Sequence, residues 1–164
     1  MEFRIRKDAR DWFRDIKSDF KSPSGTPAPD FDAFYFCFIA GITKTQKKDV
    51  STSDTAELVE NFPGAFKKRG KVLIGLFLSM ELRYLGVTLQ EKESVHAEIS
   101  RLVRPGATNF LSDEGVREFN KYAHGGYDVL LDWFVDGRPR TLDYFLRQFR
   151  TKVKGELENI QEFS

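Results

Sequence analysis

Side chains that bind metals or act as nucleophiles are scarce in this chain, which has one cysteine and two histidines among 164 residues. A single cysteine, Cys37, excludes an internal disulfide, and its apolar neighbours are typical of a small buried hydrophobe. One cysteine and two histidines are too few for a zinc site with four such ligands. No phosphate-binding glycine loop or serine elbow is present either. We therefore expect no metal and no cofactor.

An excess of charge of one sign is also lacking, because 26 Lys and Arg side chains balance 25 Asp and Glu and leave a net charge of +1. Binding to nucleic acid or to an acidic protein would therefore depend on local patches. The longest uncharged apolar run, 72–80, is far shorter than the ~20 residues of a membrane helix. The N-terminus has no apolar signal-peptide segment. We expect a cytoplasmic protein that does not bind membranes.

Aromatic residues, in contrast, are abundant: 16 Phe, 5 Tyr and 2 Trp exclude a disordered chain and predict a packed core. The length suits one domain, 1–164. Apolar residues recur mostly at helical spacing, and only Phe3 and Ile5 alternate with charged residues as in a strand. The sequence predicts a single compact all-α domain of about seven helices with at most one short N-terminal strand.

The first half of the chain shows four helical patterns and two connections. Apolar periodicity predicts a helix over 9–20. Over 31–42 periodicity does not distinguish a helix from a strand, and the length of the segment favours a helix; a further helix is predicted over 71–84. Ser53 or Asp54 can cap a short helix that continues to Glu60. The helix over 31–42 is expected to stop at Gly41. The proline-rich segment 21–30 predicts a loop, and the polar segment 43–54 an exposed connection. Because 31–42 and 71–84 are apolar on all sides, we expect both to be buried in the core or a subunit interface.

The second half of the chain begins with an amphipathic helix over 91–103. Ser112 is expected to cap the next helix, which should end at His124-Gly125-Gly126. A short apolar helix over 127–135 follows, and Thr141 is expected to cap the last helix. We expect residues 155–164 to form a frayed tail.

Two basic clusters are candidates for contact with nucleic acid or a partner protein. The first lies just before the 71–84 helix, and the second lies near the C-terminus: Lys67, Lys68 and Arg69, then Arg138, Arg140, Arg147, Arg150 and Lys154. Arg147, Arg150 and Lys154 are spaced i, i+3, i+7, so they form one stripe on a helix. Such a stripe of one sign can follow phosphates or an acidic protein surface. A solvated helix face is the alternative interpretation.

Two further patterns suggest other functions. The strand-helix-helix order at the N-terminus is similar to ribbon-helix-helix proteins, so that Arg4 and Arg6 would read a groove in a dimeric DNA-binding regulator. Arg117 and His124 have the R-x6-H spacing found in helical ribonucleases of the HEPN type. Both the regulator and the ribonuclease stay open as alternatives.

Residues 118–130, with the sequence EFNKYAHGGYDVL, carry a family resemblance. They resemble the E-Y-A-N-G-G-[aromatic or Leu]-[DE]-I-L stretch of the DNA phosphorothioation-associated protein 4 family. Three weaker matches keep the same order along the chain, at 4–6, 31–41 and 142–146. The sequence departs from the family pattern at His124, where the pattern has Asn, and in its proline-rich loop after the first helix.

The resemblance implies a non-catalytic accessory subunit of a bacterial antiphage defence system linked to DNA phosphorothioation. Such a subunit would act beside a larger ATPase or nuclease on DNA, and the resemblance transfers no catalytic residue. We therefore expect no enzymatic activity and a protein partner. Direct contact with DNA and assembly into a homo-oligomer are left open.

Overall fold

The computed structural model describes residues 1–20, 29–59, 61–63 and 67–162. Within these ranges it contains six α-helices and two short strands, in the order β1 (Arg4–Arg6), α1 (Lys7–Trp12), α2 (Pro29–Lys44), β2 (Thr55–Glu57), α3 (Lys67–Tyr84), α4 (Lys92–Leu102), α5 (Asp113–Trp133) and α6 (Leu142–Glu162). The prediction of an all-α domain with a short N-terminal strand is confirmed. No helix among the described residues is long and apolar enough to cross a membrane.

The centre of the fold is the pair formed by α2 and α5, whose backbones touch. A Cβ atom on Gly126 would lie 1.6 Å from the carbonyl oxygen of Cys37, and one on Gly41 would lie 2.0 Å from that of Tyr122. Only glycine permits so close an approach. The predicted stops at Gly41 and at His124-Gly125-Gly126 are therefore wrong, because these glycines lie inside continuous helices. The predicted helices before and after residue 125 are one helix, α5.

The core around this pair is mostly aromatic. The rings of Phe38 and Phe119 stack with centroids 3.8 Å apart and an interplanar angle of 3°. Phe3, just before β1, and Phe77 from α3 add ring contacts to Phe119, with centroids 5.2 and 5.3 Å away. Each such pair contributes about 0.5–1.5 kcal/mol beyond its buried area. Phe119 thus joins α2, α3 and α5 to the segment that leads into β1.

Two predicted helices near the N-terminus are wrong or shortened. No α-helix forms over the described part of the segment that was predicted to be helical up to Glu60. There β2 pairs antiparallel with β1, and Ile5 lies opposite Ala56. Here pairing with a neighbouring strand overrides local helix propensity. The helix predicted over 9–20 ends at Trp12, and the chain then turns into a 3₁₀ segment at Lys17–Asp19. Phe13 and Ile16 still reach the core from this turn, which explains the apolar spacing.

The remaining elements follow the predicted pattern with three corrections. α3 begins at Lys67 and buries one face only, since Val72 is 64 % exposed. α6 continues to Glu162 in place of the frayed tail, and Lys44 forms an ion pair of 3.2 Å with Glu156 there. Residues 21–28 of the predicted loop lie outside the described residues, and Pro29 and Asp30 already belong to α2.

Two predicted helix caps are confirmed. The backbone N–H of Gly115 donates to Ser112 Oγ at 3.0 Å, and that of Tyr144 donates to Thr141 Oγ1 at 3.3 Å. Each hydroxyl satisfies one of the N–H groups that a helix start leaves without a partner.

Candidate functional site

A cavity of about 170 Å³ lies between α5, β1 and the segment that leads into β2. Its lining residues on α5 are spaced i, i+3, i+4, i+7, so they share one helix face: Arg117, Asn120, Lys121 and His124. The other walls are formed by Arg4, Asp49, Val50, Thr52 and Thr55. The structure thus brings Arg117 and His124, the predicted pair, to one cavity.

His124 is an uncharged member of this cavity at neutral pH. It is 6 % exposed, and its Nδ1 atom is buried without a hydrogen-bond partner among the described residues. Burial, together with the positive charges of Arg6 and Arg4, lowers the pKa of His124 from an ordinary 6.5 to about 4. A general acid or base works best with a pKa near the operating pH. The arrangement therefore suits hydrogen bonding better than proton transfer.

The two arginines of β1 are occupied by contacts within the chain. Arg4 donates to Thr55 Oγ1 at 2.7 Å and to Glu2 Oε1 at 2.8 Å. Arg6 donates to Asp128 Oδ1 at 3.0 Å and to the carbonyl oxygen of His124 at 3.1 Å. These contacts fix β1 against α5 and β2. Neither guanidinium is free to read a nucleic-acid groove in this arrangement.

A second charged cluster, next to the cavity, is centred on Lys47. Its ammonium group donates to both oxygens of Glu81, at 2.9 and 3.1 Å, and also forms an ion pair with Glu118. The same group lies 4.5 Å from the ring centroid of Tyr84 and 5.3 Å from that of Tyr122. The segment predicted as an exposed connection is therefore anchored to α3 and α5 through Lys47.

Glu118 shows how strongly this cluster favours the charged carboxylate. Burial alone would raise the pKa of Glu118, but hydrogen bonds and charges from Lys47 and Lys121 outweigh it and lower the pKa. Sequence reasoning missed Lys47 and Glu81, because they come from separate polar and apolar segments. A glutamate, Glu81, inside the apolar 71–84 segment was the signal for a buried ion pair.

The C-terminal basic residues separate into two groups with different surroundings. Arg138 and Arg140 both donate to Asp15 Oδ2, at 2.9 and 3.1 Å, so they fasten the turn before α6 to the segment after α1. Arg147 is exposed and forms an ion pair with Asp143. Arg150 and Lys154 are exposed on the same stripe and have no ion-pair partner among the described residues.

The first basic cluster belongs to the first turn of α3 and adjoins two exposed apolar side chains. We use the name α3 patch for Lys68, Arg69, Lys71, Val72 and Leu76, which are all exposed. Val72 and Leu76 are spaced i, i+4 and are 64 % and 41 % exposed. Lys67 stands at the first position of the helix. The opposite face of α3 is buried through Leu73, Ile74 and Phe77.

Comparison of the chain with family models, curated proteins and solved structures finds no match. The residues that the structure describes contain no group of three or more His, Cys, Asp or Glu side chains that could hold a metal ion.

Proposed function

We propose that this chain is a non-catalytic accessory subunit of a bacterial antiphage system linked to DNA phosphorothioation, and that it binds a larger ATPase or nuclease. The assignment to this kind of defence system depends on the resemblance of residues 118–130 to the DNA phosphorothioation-associated protein 4 family. The binding role depends on the α3 patch. Exposed Val72 and Leu76 beside three cations are the observation that carries the proposal.

The α3 patch has the composition of a protein-protein contact. Such interfaces place apolar side chains at the centre and polar or charged ones at the rim. Full burial of a Val or Leu side chain contributes about 1.5–3 kcal/mol, of which the partly exposed Val72 and Leu76 gain only a part in the isolated chain. Lys68, Arg69 and Lys71 would then meet acidic groups. We infer a partner surface with an apolar centre and an acidic rim.

A non-catalytic role agrees with the state of the two strongest nucleophile or acid–base candidates. Cys37 is buried in α2, and burial raises the pKa of its thiol, so a reactive thiolate is disfavoured. His124 is uncharged at neutral pH, so it has no extra proton to give to a leaving group. We therefore favour a binding subunit over a ribonuclease that uses Arg117 and His124.

Contact with DNA is a second part of the proposal, and it is favoured by the unpaired cations on α6. Arg150 and Lys154 are exposed and stand on one stripe with Arg147. Arg138 and Arg140, before α6, are poorer candidates, because both already pair with the carboxylate of Asp15 within the chain. A dimeric regulator that reads DNA through β1 is disfavoured because Arg4 and Arg6 are bound within the chain.

The test is co-expression of the tagged chain with each ATPase or nuclease that a neighbouring gene encodes, followed by size-exclusion chromatography. The proposal predicts a stable complex with one of them and no RNA or DNA cleavage by the chain alone. Cleavage by the purified chain that is lost in both Arg117→Ala and His124→Ala would contradict the non-catalytic role. General acid–base groups contribute roughly 10²–10⁴-fold to a rate, so the loss would be easy to measure.

A further inference from the structure

One phenylalanine, Phe110, lies outside the aromatic core. It is 37 % exposed, and it is the only exposed phenylalanine among the residues whose side chains the structure describes. Its backbone is in the left-handed region, with a φ of 64°. A bulky L-residue is rare there, whereas glycine adopts this φ without strain. The backbone conformation alone would therefore favour glycine at this position.

The loop that carries Phe110 is closed by hydrogen bonds. The backbone N–H of Arg104 donates to the carbonyl oxygen of Phe110 at 2.9 Å, and the N–H of Phe110 donates to the carbonyl oxygen of Ala107 at 3.1 Å. The buried side chain of Asn109 accepts a hydrogen bond of 3.0 Å from the N–H of Leu111. These bonds hold Phe110 in its left-handed conformation. Backbone strain of this kind is concentrated at functional sites, where it positions a side chain in advance.

The ring of Phe110 adjoins the α3 patch. Its centroid lies 5.9 Å from the ammonium group of Lys71, which belongs to the patch. Val72 and Leu76, the exposed apolar side chains of the patch, follow Lys71 on α3. The exposed surface around Lys71 therefore combines an aromatic ring from the loop with aliphatic side chains from the helix.

The two segments that form this surface carry charge of one sign. Residues 67–80 and 103–112 contain no Asp or Glu. Four of their cations are exposed and form no ion pair with a residue that the structure describes: Lys68, Arg69, Lys71 and Arg104. Electrostatic complementarity then requires carboxylates on the surface that meets them.

We propose that Phe110 is the anchor of the α3-patch interface, and that its ring enters an apolar pocket, rimmed by carboxylates, on the larger partner protein. This inference rests on the proposed function, because the partner is the same. Aromatic side chains are enriched at protein interfaces, and a few anchors that fill pockets supply most of the binding energy. A ring that the loop already holds in place also loses less conformational entropy on binding. Arg104 would meet the acidic rim.

Single-stranded nucleic acid is the competing occupant of this surface. It stacks its bases on exposed aromatic rings that lie beside cations. Val72 and Leu76 favour a protein, because aliphatic side chains at the centre of a contact are typical of protein–protein interfaces.

The test is the dissociation constant of the complex with the ATPase or nuclease from a neighbouring gene that co-purifies with the chain. Phe110→Gly removes the ring and suits the left-handed backbone, so the chain should fold and bind at least about tenfold more weakly. Phe110→Asn removes the ring in a second way, since Asn also tolerates this φ. The matched control is Thr45→Gly. Thr45 has a φ of 51°, follows α2 and is not part of the α3 patch, so its variant should bind like the original chain.

Failure of the anchor is distinguishable from failure of the patch. If Val72→Glu weakens the complex and both variants of Phe110 bind like the original chain, the anchor is overturned and the proposed function stands. If no ATPase or nuclease from a neighbouring gene forms a complex, both proposals are overturned.

Arg104 makes a separate contribution that the rate of association reports. A charge at the rim of an interface acts mainly on this rate and on its salt dependence. Arg104→Ala should therefore slow association at low salt. The matched control is Arg83→Ala, since Arg83 is an exposed arginine of α3 outside the α3 patch. Equal association rates for Arg104→Ala and the original chain would contradict an acidic rim at this loop.

Fluorescence anisotropy with a single-stranded oligonucleotide tests the competing occupant. We expect Phe110→Gly to leave the affinity for the oligonucleotide unchanged. A loss of this affinity in Phe110→Gly and Phe110→Asn, with Thr45→Gly unaffected, would assign the ring to nucleic acid and overturn the proposal.

Discussion

The ammonium group of Lys47 lies 2.9 and 3.1 Å from the two carboxylate oxygens of Glu81, a side chain that is only 1 % exposed. Lys47 belongs to the connection after α2, and Glu81 belongs to α3. Glu118 of α5 completes the cluster through its own ion pair with Lys47. Three separate elements thus meet at one cation. The position of α3, and with it the α3 patch, depends on this contact.

Removal of the cation should therefore destabilise the fold. In Lys47→Met, the carboxylates of Glu81 and Glu118 would remain close together, and Glu81 would be buried without its cation. Removing one partner of a buried ion pair typically costs about 3–5 kcal/mol. We expect a loss of that order in the free energy of unfolding, measured by urea denaturation. Lys44→Met is the matched control, because Lys44 pairs with Glu156 at the surface and should lose at most about 1 kcal/mol. Similar losses in both variants would contradict the role of Lys47.

The contact between α2 and α5 makes an equally specific prediction. In Gly126→Ala, the new methyl group would meet the carbonyl oxygen of Cys37, so the helices must move apart. Overpacking of this kind costs about 1–3 kcal/mol or more. In the control Gly75→Ala, nothing lies within 4 Å of the new Cβ atom, and exchange of an exposed helical glycine should stabilise by up to about 1 kcal/mol. Urea denaturation should show a lower free energy of unfolding for Gly126→Ala and a higher one for Gly75→Ala. A change of the same sign in both variants would exclude a close helix contact at Gly126.

Gly125 and Gly126 also show which features of the fold the sequence alone does not determine. His124-Gly125-Gly126 has the composition of a helix end, but a glycine required for a close helix crossing has the same composition. Only the position of α2 decides between the two. β2 is a similar case, because its pairing with β1 depends on residues about fifty positions away. Ser112 and Thr141 were predictable because a cap depends on neighbours three residues away.

The candidate site was predictable in part for the same reason. Arg117 and His124 share a helix face, so their spacing alone places them together. The rest of the cavity comes from Arg4 and the 49–55 segment, whose approach to α5 is a tertiary contact. Local spacing also could not show that Arg138 and Arg140 share an ion pair with Asp15.

The uncharged state of His124 predicts a loss of stability in mild acid. Its pKa in the folded chain is about 4, against an ordinary 6.5. The unfolded chain therefore takes up a proton first, and the free energy of unfolding should fall between about pH 7 and pH 5. The expected fall is about 2 kcal/mol from this group. The facing charged groups are Arg4, Arg6, Asp8 and Asp49.

The measurement is urea denaturation at both pH values in buffers without phosphate. In His124→Gln the fall should largely disappear, whereas His96→Gln should keep it. A side-chain NMR titration of the original chain should give a His124 midpoint near 4. A midpoint near the ordinary 6.5 would show that His124 is not held in its neutral form.

The stripe on α6 predicts a salt-dependent affinity for DNA. Each phosphate contact on duplex DNA gives a slope of about −0.9 in a plot of log affinity against log salt, so three contacts give roughly −3. Fluorescence anisotropy with duplex DNA should show that Arg147→Ala, Arg150→Ala and Lys154→Ala each reduce the slope by about one. Arg83→Ala should leave it unchanged. Unchanged affinity in all three stripe variants would remove α6 from the DNA-binding claim.

The central claim is that the α3 patch binds the larger partner. Its most direct test is the dissociation constant of the complex for the original chain, for Val72→Glu and for Val135→Glu. Val135 is 82 % exposed and lies after α5, so its variant is the control for an added charge. We predict that Val72→Glu weakens binding at least about tenfold, because it places a carboxylate at the apolar centre facing an acidic rim. We predict that Val135→Glu binds like the original chain. Unchanged affinity of Val72→Glu would contradict the account.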